Sequence, residues 1–142
     1  MKKFVLVTVF AALALVVSTA FGQSLFDPKN PRVYVVNNKT VVVDQELIRF
    51  TTNEKDVRIV WQLPAESEYK FALHGIAVDV AGARNNVKDK AKEFVCHVEE
   101  NGNRFACINA HTAPGAYKYK ITLQSKTGKS ANLVLDPIII ND

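Results

Sequence analysis

Few residues of this 142-residue chain have the types and spacing for chemistry. They are three histidines, His74, His97 and His111, two cysteines, Cys96 and Cys107, and one tryptophan, Trp61. Imidazole suits Cu(II) or Zn(II), so convergence of His74, His97 and His111 would make a metal site. Nothing in their spacing requires it: there is no His-x-His, no Cys-x-x-Cys and no cluster of methionines. Trp61, in Val57-Arg58-Ile59-Val60-Trp61-Gln62-Leu63, reads as a core residue, with ligand stacking as its functional reading. No Gly-x-Ser-x-Gly, phosphate loop, Gly-x-Gly-x-x-Gly or His-Glu-x-x-His is present, so no catalytic residue is assigned.

The cysteines carry the firmest inference. Phe94 to Cys107 centres on Asn101-Gly102, the dipeptide that suits a two-residue hairpin turn because both positions need positive φ. In that turn Glu100 opposes Asn103, so opposed residue numbers sum to 203, and Cys96 meets Cys107. Opposed Cα atoms lie about 4.5–5.5 Å apart, within disulfide reach. The same register pairs Val98 with Phe105 and sets Glu99 opposite Arg104. A structural disulfide follows, worth about 2–4 kcal/mol for a loop of this size.

The elements that position these residues read as strands. Val, Ile, Phe, Tyr and Leu come in short runs divided by Asn, Gly, Pro, Asp and Lys. Strands are expected near Val33–Val36, Thr40–Val43, Leu47–Thr51, Val57–Leu63, Tyr69–Leu73, Ile76–Val80, Phe94–Val98, Arg104–Asn109, Ala116–Gln124 and Ala131–Ile140. Asn85–Lys92 reads as a helical turn or a loop. Tyr117, Tyr119, Ile121 and Leu123 alternate with Lys118, Lys120, Thr122 and Gln124, the pattern of a half-buried strand. A three-residue turn at Lys126-Thr127-Gly128 would set Ile121 opposite Leu133 and Tyr119 opposite Leu135. Pro137 favours an edge strand or a bulge. The apolar ending reads as a buried last strand, or as an edge that adds to a partner's sheet. The expected fold is all-β, a single antiparallel β-sandwich of immunoglobulin-like or cupredoxin-like shape.

The N-terminus supplies a compartment. Met1-Lys2-Lys3 is positive, Phe4 to Val17 is apolar apart from Thr8, and Ser18 to Gly22 are mostly small. This is the layout of a secretory signal peptide over residues 1–22, cleaved after Gly22 or after Ala20. The apolar run is shorter than the ~20 residues of a membrane span, so no stable span remains after cleavage. The domain is then 23–142, and the location is periplasmic or secreted. Loss of Lys2 and Lys3 leaves sixteen bases against fourteen acids. The charges are mixed in sign, and the run Lys88-Asp89-Lys90-Ala91-Lys92-Glu93 reads as a solvated face, so nucleic acid is not an expected partner.

Pro114-Gly115-Ala116-Tyr117-Lys118-Tyr119-Lys120 resembles a segment of the cupredoxin family, and Leu73-His74-Gly75-Ile76-Ala77-Val78 resembles its upstream histidine strand. In that family the tyrosine strand leads into a cysteine ligand followed by His and Met. Here Ile121 stands at the cysteine position, and Met1 is the only methionine. The alternative placement on Cys107 and His111 needs a free thiol. The resemblance therefore implies the shape without the blue-copper ligand set. The leader, the disulfide hairpin and the Asp136-Pro137-Ile138 ending together resemble small exported proteobacterial β-sandwich proteins of unassigned activity. The functional expectation is an exported, non-catalytic module for an unknown protein or small-molecule partner, with no cofactor. A periplasmic copper- or zinc-binding protein and a small secreted enzyme are the alternatives.

Overall fold

A computed structural model of the chain describes residues 26–79, 93–128 and 132–142. The leader, Val80, the 85–92 segment and the start of the last expected strand lie outside them. Among the described residues ten strands run in chain order: β1 (Val33–Val36), β2 (Thr40–Val43), β3 (Leu47–Phe50), β4 (Val57–Gln62) and β5 (Tyr69–Asp79), then β6 (Phe94–Glu99), β7 (Arg104–Asn109), β8 (Gly115–Ser125), β9 (Leu133–Leu135) and β10 (Ile138–Asn141). The protein is all-β and divided among three sheets. One is the β1–β2 hairpin, one has the order β4-β7-β6, and one has the order β3-β10-β8-β5 with β9 also on β8.

Alternation explains which faces turn inward. On β8, Tyr117, Tyr119, Ile121 and Leu123 are buried, while Lys118 and Lys120 between them are exposed. On β4, Val57, Ile59 and Trp61 point to the same core. The β4-β7-β6 sheet meets the five-stranded sheet through aromatic pairs: Trp61 on Tyr119 at 5.2 Å between ring centroids, Phe71 on Phe105 at 5.8 Å and Phe94 on Tyr117 at 5.1 Å. Such tilted contacts add to the burial of apolar area. The outer edge of β4 is covered by the lead-in to β1, where Val60 N donates to Lys29 O and Gln62 N to Pro31 O.

The cysteine hairpin has the expected register. Cys96 opposes Cys107, Val98 opposes Phe105, and Glu99 opposes Arg104. The disulfide is formed, with Cα atoms 4.0 Å apart. Asn101 and Gly102 both have positive φ, Glu100 joins them, and Asn103 N closes the turn on Glu100 O. A side chain at Gly102 would meet Lys70 Cβ at 2.9 Å, so only glycine lets the tip lie against β5. The opposed Glu99 and Arg104 do not pair with each other. Arg58 of β4 reaches Glu99, and Arg104 takes Glu100.

Several expectations are corrected. The fold is not wholly antiparallel, because β10 pairs with β3 in parallel, Ile138 beside Leu47. The same pair places the last strand inside a sheet, between β3 and β8, as its reading as a buried strand expects and not at an edge. The β8–β9 register is displaced by two residues: Ile121 faces Leu135 and Leu123 faces Leu133. At the end of β8, Gly128 N donates to Ser125 O and Thr127 N to Ser125 Oγ. An even displacement keeps both leucines on the core side. The two strands expected over 69–80 are one strand, β5, with a bulge between Phe71 and Ile76. Gly75 permits it, since a Cβ there would meet Ala72 O at 2.9 Å. The bulge displays Leu73 and His74 on the sheet edge, and bulges of this kind blunt edges against further pairing. The final strand is split at Asp136-Pro137 without losing register. Pro137 has no N–H to give, but its carbonyl accepts from Tyr119 N at 3.0 Å.

Candidate functional site

Two groups of polar residues stand out, one buried and one exposed. The buried group closes one end of the core. Glu93, just before β6, is only 2% exposed, although it ends the charge run that reads as a solvated face. Its Oε1 accepts from Thr112 N at 2.9 Å, Asn141 Nδ2 at 3.2 Å and Ala113 N at 3.4 Å. Its Oε2 accepts from the Thr112 hydroxyl. Asn109 and Asn141 exchange amide hydrogen bonds at 2.8 and 3.1 Å. The group thus ties together the start of β6, the end of β10 and the β7–β8 connection. Four donors on one carboxylate is the arrangement that lets a buried acid persist without a cation.

His111 belongs to the same end. It is 5% exposed, and its ring nitrogens meet the carbonyl oxygens of Glu54 and Asp142. Its N–H donates to Asn109 Oδ1. Beside it, Arg49 grips the Asp142 carboxylate with two hydrogen bonds of 2.7 and 2.8 Å. That grip holds the Asp142 carboxyl below its ordinary range. Tyr117 completes the end by donating its hydroxyl to Ala113 O at 2.7 Å. Burial, with the Glu93 charge behind it, pushes the Tyr117 phenol up to about 12.

The other sequence-predicted residues lie apart from this group. His97 is exposed on the outer face of β6 and meets Glu99 at 2.9 Å. Glu99 is held below the usual carboxylate range by Arg58 first and His97 second. His74 is exposed on the β5 bulge. The structure therefore does not bring His74, His97 and His111 together, and no three His, Cys, Asp or Glu side chains among the described residues are grouped to hold a metal. Trp61 is fully buried and donates its indole N–H to the Tyr119 hydroxyl at 3.2 Å. It has no exposed face on which a ligand could stack. Burial pushes Tyr119 up to about 12 against the opposing effect of that bond.

The exposed group lies on the outer face of the five-stranded sheet. A groove of about 580 Å³ is lined by Ala77, Val78 and Asp79 of β5, Lys118, Tyr119 and Lys120 of β8, and Asp136 and Ile138. Lys118 sits between Asp79 and Ile138 in the cross-strand row, and Ile138 sits beside Leu47. The register that opposes Ile121 to Leu135 and Lys118 to Ile138 sets Lys120 opposite Asp136. Lys118, Lys120 and Asp136 make no ion pair among the described residues. A second concavity of about 280 Å³ shares Asp136 and Ile138 and continues over Pro137 to Glu46 and Leu47. Leu47 is 54% exposed. The sequence names several of these residues within strands and resemblances, but does not group them as a site. The alternation of Lys118 and Lys120 marks an outward face, but their neighbours come from strands distant in the chain.

No protein-family model matches this chain, and no curated protein matches it. Among the described residues no helix is long and apolar enough to cross a membrane.

Proposed function

We propose that residues 23–142 form one exported β-sandwich domain of immunoglobulin-like or cupredoxin-like shape that binds a ligand without catalysing its conversion. The sandwich reading is supported by the three aromatic contacts that join the two larger sheets. It is supported also by the Tyr117 hydroxyl turning back to a backbone oxygen four residues upstream, a corner common in such folds. Export is supported by the leader pattern and by the Cys96–Cys107 bridge, which persists in oxidising compartments. The leader, the disulfide hairpin and the Asp136-Pro137-Ile138 ending resemble small exported proteobacterial β-sandwich proteins of unassigned activity.

One observation carries the functional part. The groups with chemical capacity, Glu93 and His111, are buried, and their polar atoms are bonded to Thr112 or to backbone. Lys118, Lys120 and Asp136, which make no ion pair among the described residues, instead line an open groove of a size that suits a small ligand. Two experiments test the reading. Intact mass of protein from the exported fraction, without reductant, should show a chain starting after Gly22 or Ala20 and lacking two hydrogens. Soluble small molecules of differing charge, titrated into ¹⁵N-labelled protein, should move amide signals at 77–79, 118–120 and 136–138. Turnover of a compound, with shifts centred on Glu93 and Thr112, would contradict it.

A further inference from the structure

The groove carries charges of both signs in a fixed order. Lys118 and Lys120 are two residues apart on one face of β8, so their stems leave the sheet about 7 Å apart. Asp136 lies across from Lys120 on the β9–β10 line. Cross-strand neighbours have Cα atoms about 4.5–5.5 Å apart, so an anionic and a cationic subsite adjoin. Beyond them Ile138 and Leu47, neighbours across the β10–β3 pair, form an apolar patch in the second concavity. Opposed Lys120 and Asp136 would ordinarily satisfy each other across the ladder, yet they form no ion pair here. A groove of this pattern matches a molecule with a carboxylate, an ammonium group a few ångströms away and an apolar side chain.

We propose that the groove takes a short zwitterionic peptide. Its carboxylate lies between Lys118 and Lys120, its ammonium group lies on Asp136, and an apolar side chain rests on Ile138 and Leu47. This assignment rests on the reading of the outer face as the binding face and names the ligand class for it. The contacts are exposed, so binding weakens with added salt. Desolvation of the apolar side chain supplies the part that salt does not screen.

The test is a titration of the mature ¹⁵N-labelled protein with L-leucyl-L-leucine and with its N-acetylated, C-amidated form. The expected result is saturable shifts at 77–79, 118–120 and 136–138, with the blocked peptide at least tenfold weaker. Lys118→Gln with Lys120→Gln should weaken the free dipeptide at least tenfold, and Asp136→Asn at least threefold. Lys126→Gln, at the distant β8 turn, should leave it unchanged. Equal binding of the blocked and free peptides overturns the assignment. Groove shifts with succinate but none with the dipeptide also overturn it, while leaving the binding face in place. Shifts from neither compound at these residues overturn both readings.

Discussion

The knot around Glu93 and the groove around Lys118 hold similar chemical groups and use them in opposite ways. At the knot, the carboxylate of Glu93 faces donors from Thr112, Ala113 and Asn141, and almost none of its surface meets water. At the groove, Lys118, Lys120 and Asp136 stand in water with no ion-pair partner among the described residues. Burial makes the first group expensive to alter, since the Ala113 and Asn141 donors it frees lack a substitute in the core. Exposure makes the second cheap to alter, because water replaces whatever is removed. Stability and binding should therefore separate by region.

The largest effect should come from the knot. Glu93→Ala frees three N–H groups and a hydroxyl, and it should lower unfolding free energy by about 3 kcal/mol or more, read by urea denaturation. Glu93→Gln sharpens the point. It keeps one oxygen for the N–H donors, and the Thr112 hydroxyl can turn to accept, so the loss should be less than half as large. An equal loss for the two variants would mean that charge, not acceptor count, sets the energy of the knot.

Next comes the disulfide hairpin. Replacing Cys96 and Cys107 together by Ala should cost about 2–4 kcal/mol without moving groove affinity. Tyr117→Phe removes only the hydroxyl bond to Ala113 O, so about 1 kcal/mol is expected. Smallest of all, Lys118→Gln with Lys120→Gln should change stability by less than about 0.5 kcal/mol while removing most of the affinity for a zwitterionic dipeptide.

A pH prediction follows from the buried phenols. Tyr117 and Tyr119 are pushed up to about 12, chiefly by burial. Below the ordinary phenol range both folded and unfolded chains keep these protons, so stability there is insensitive to them. Above about pH 10 the unfolded chain loses protons that the folded chain retains, and stability falls as pH rises toward 12. Absorbance at the tyrosinate band should show Tyr117 and Tyr119 titrating late, together with loss of near-ultraviolet circular dichroism. Titration of this pair in the ordinary phenol range would contradict its burial.

What the sequence conveys depends on whether a feature is local. Asn101-Gly102 sets the turn, the turn sets the register, and the register brings Cys96 to Cys107, so that hairpin is readable end to end. On β8 the alternation gives the buried face, but the pairing step with β9 depends on the connection between the two strands, which alternation does not contain. His74-Gly75 reads as a break between strands, whereas the chain bulges and continues. The parallel β3–β10 pair joins residues about ninety apart and leaves no local mark. Glu93 is hidden most completely. It ends a run of lysines and acids, and its partners Thr112 and Asn141 are 19 and 48 residues away. The groove is hidden for the same reason, being assembled from β5, β8 and the β9–β10 junction.

The central claim is that the knot holds the fold and the groove is free to bind. The most direct measurement is urea denaturation of Glu93→Ala beside the Lys118→Gln, Lys120→Gln double variant. A large drop for the first and an unchanged midpoint for the second is the predicted result. A Glu93→Ala protein as stable as the parent, or a lysine variant that unfolds early, would contradict it.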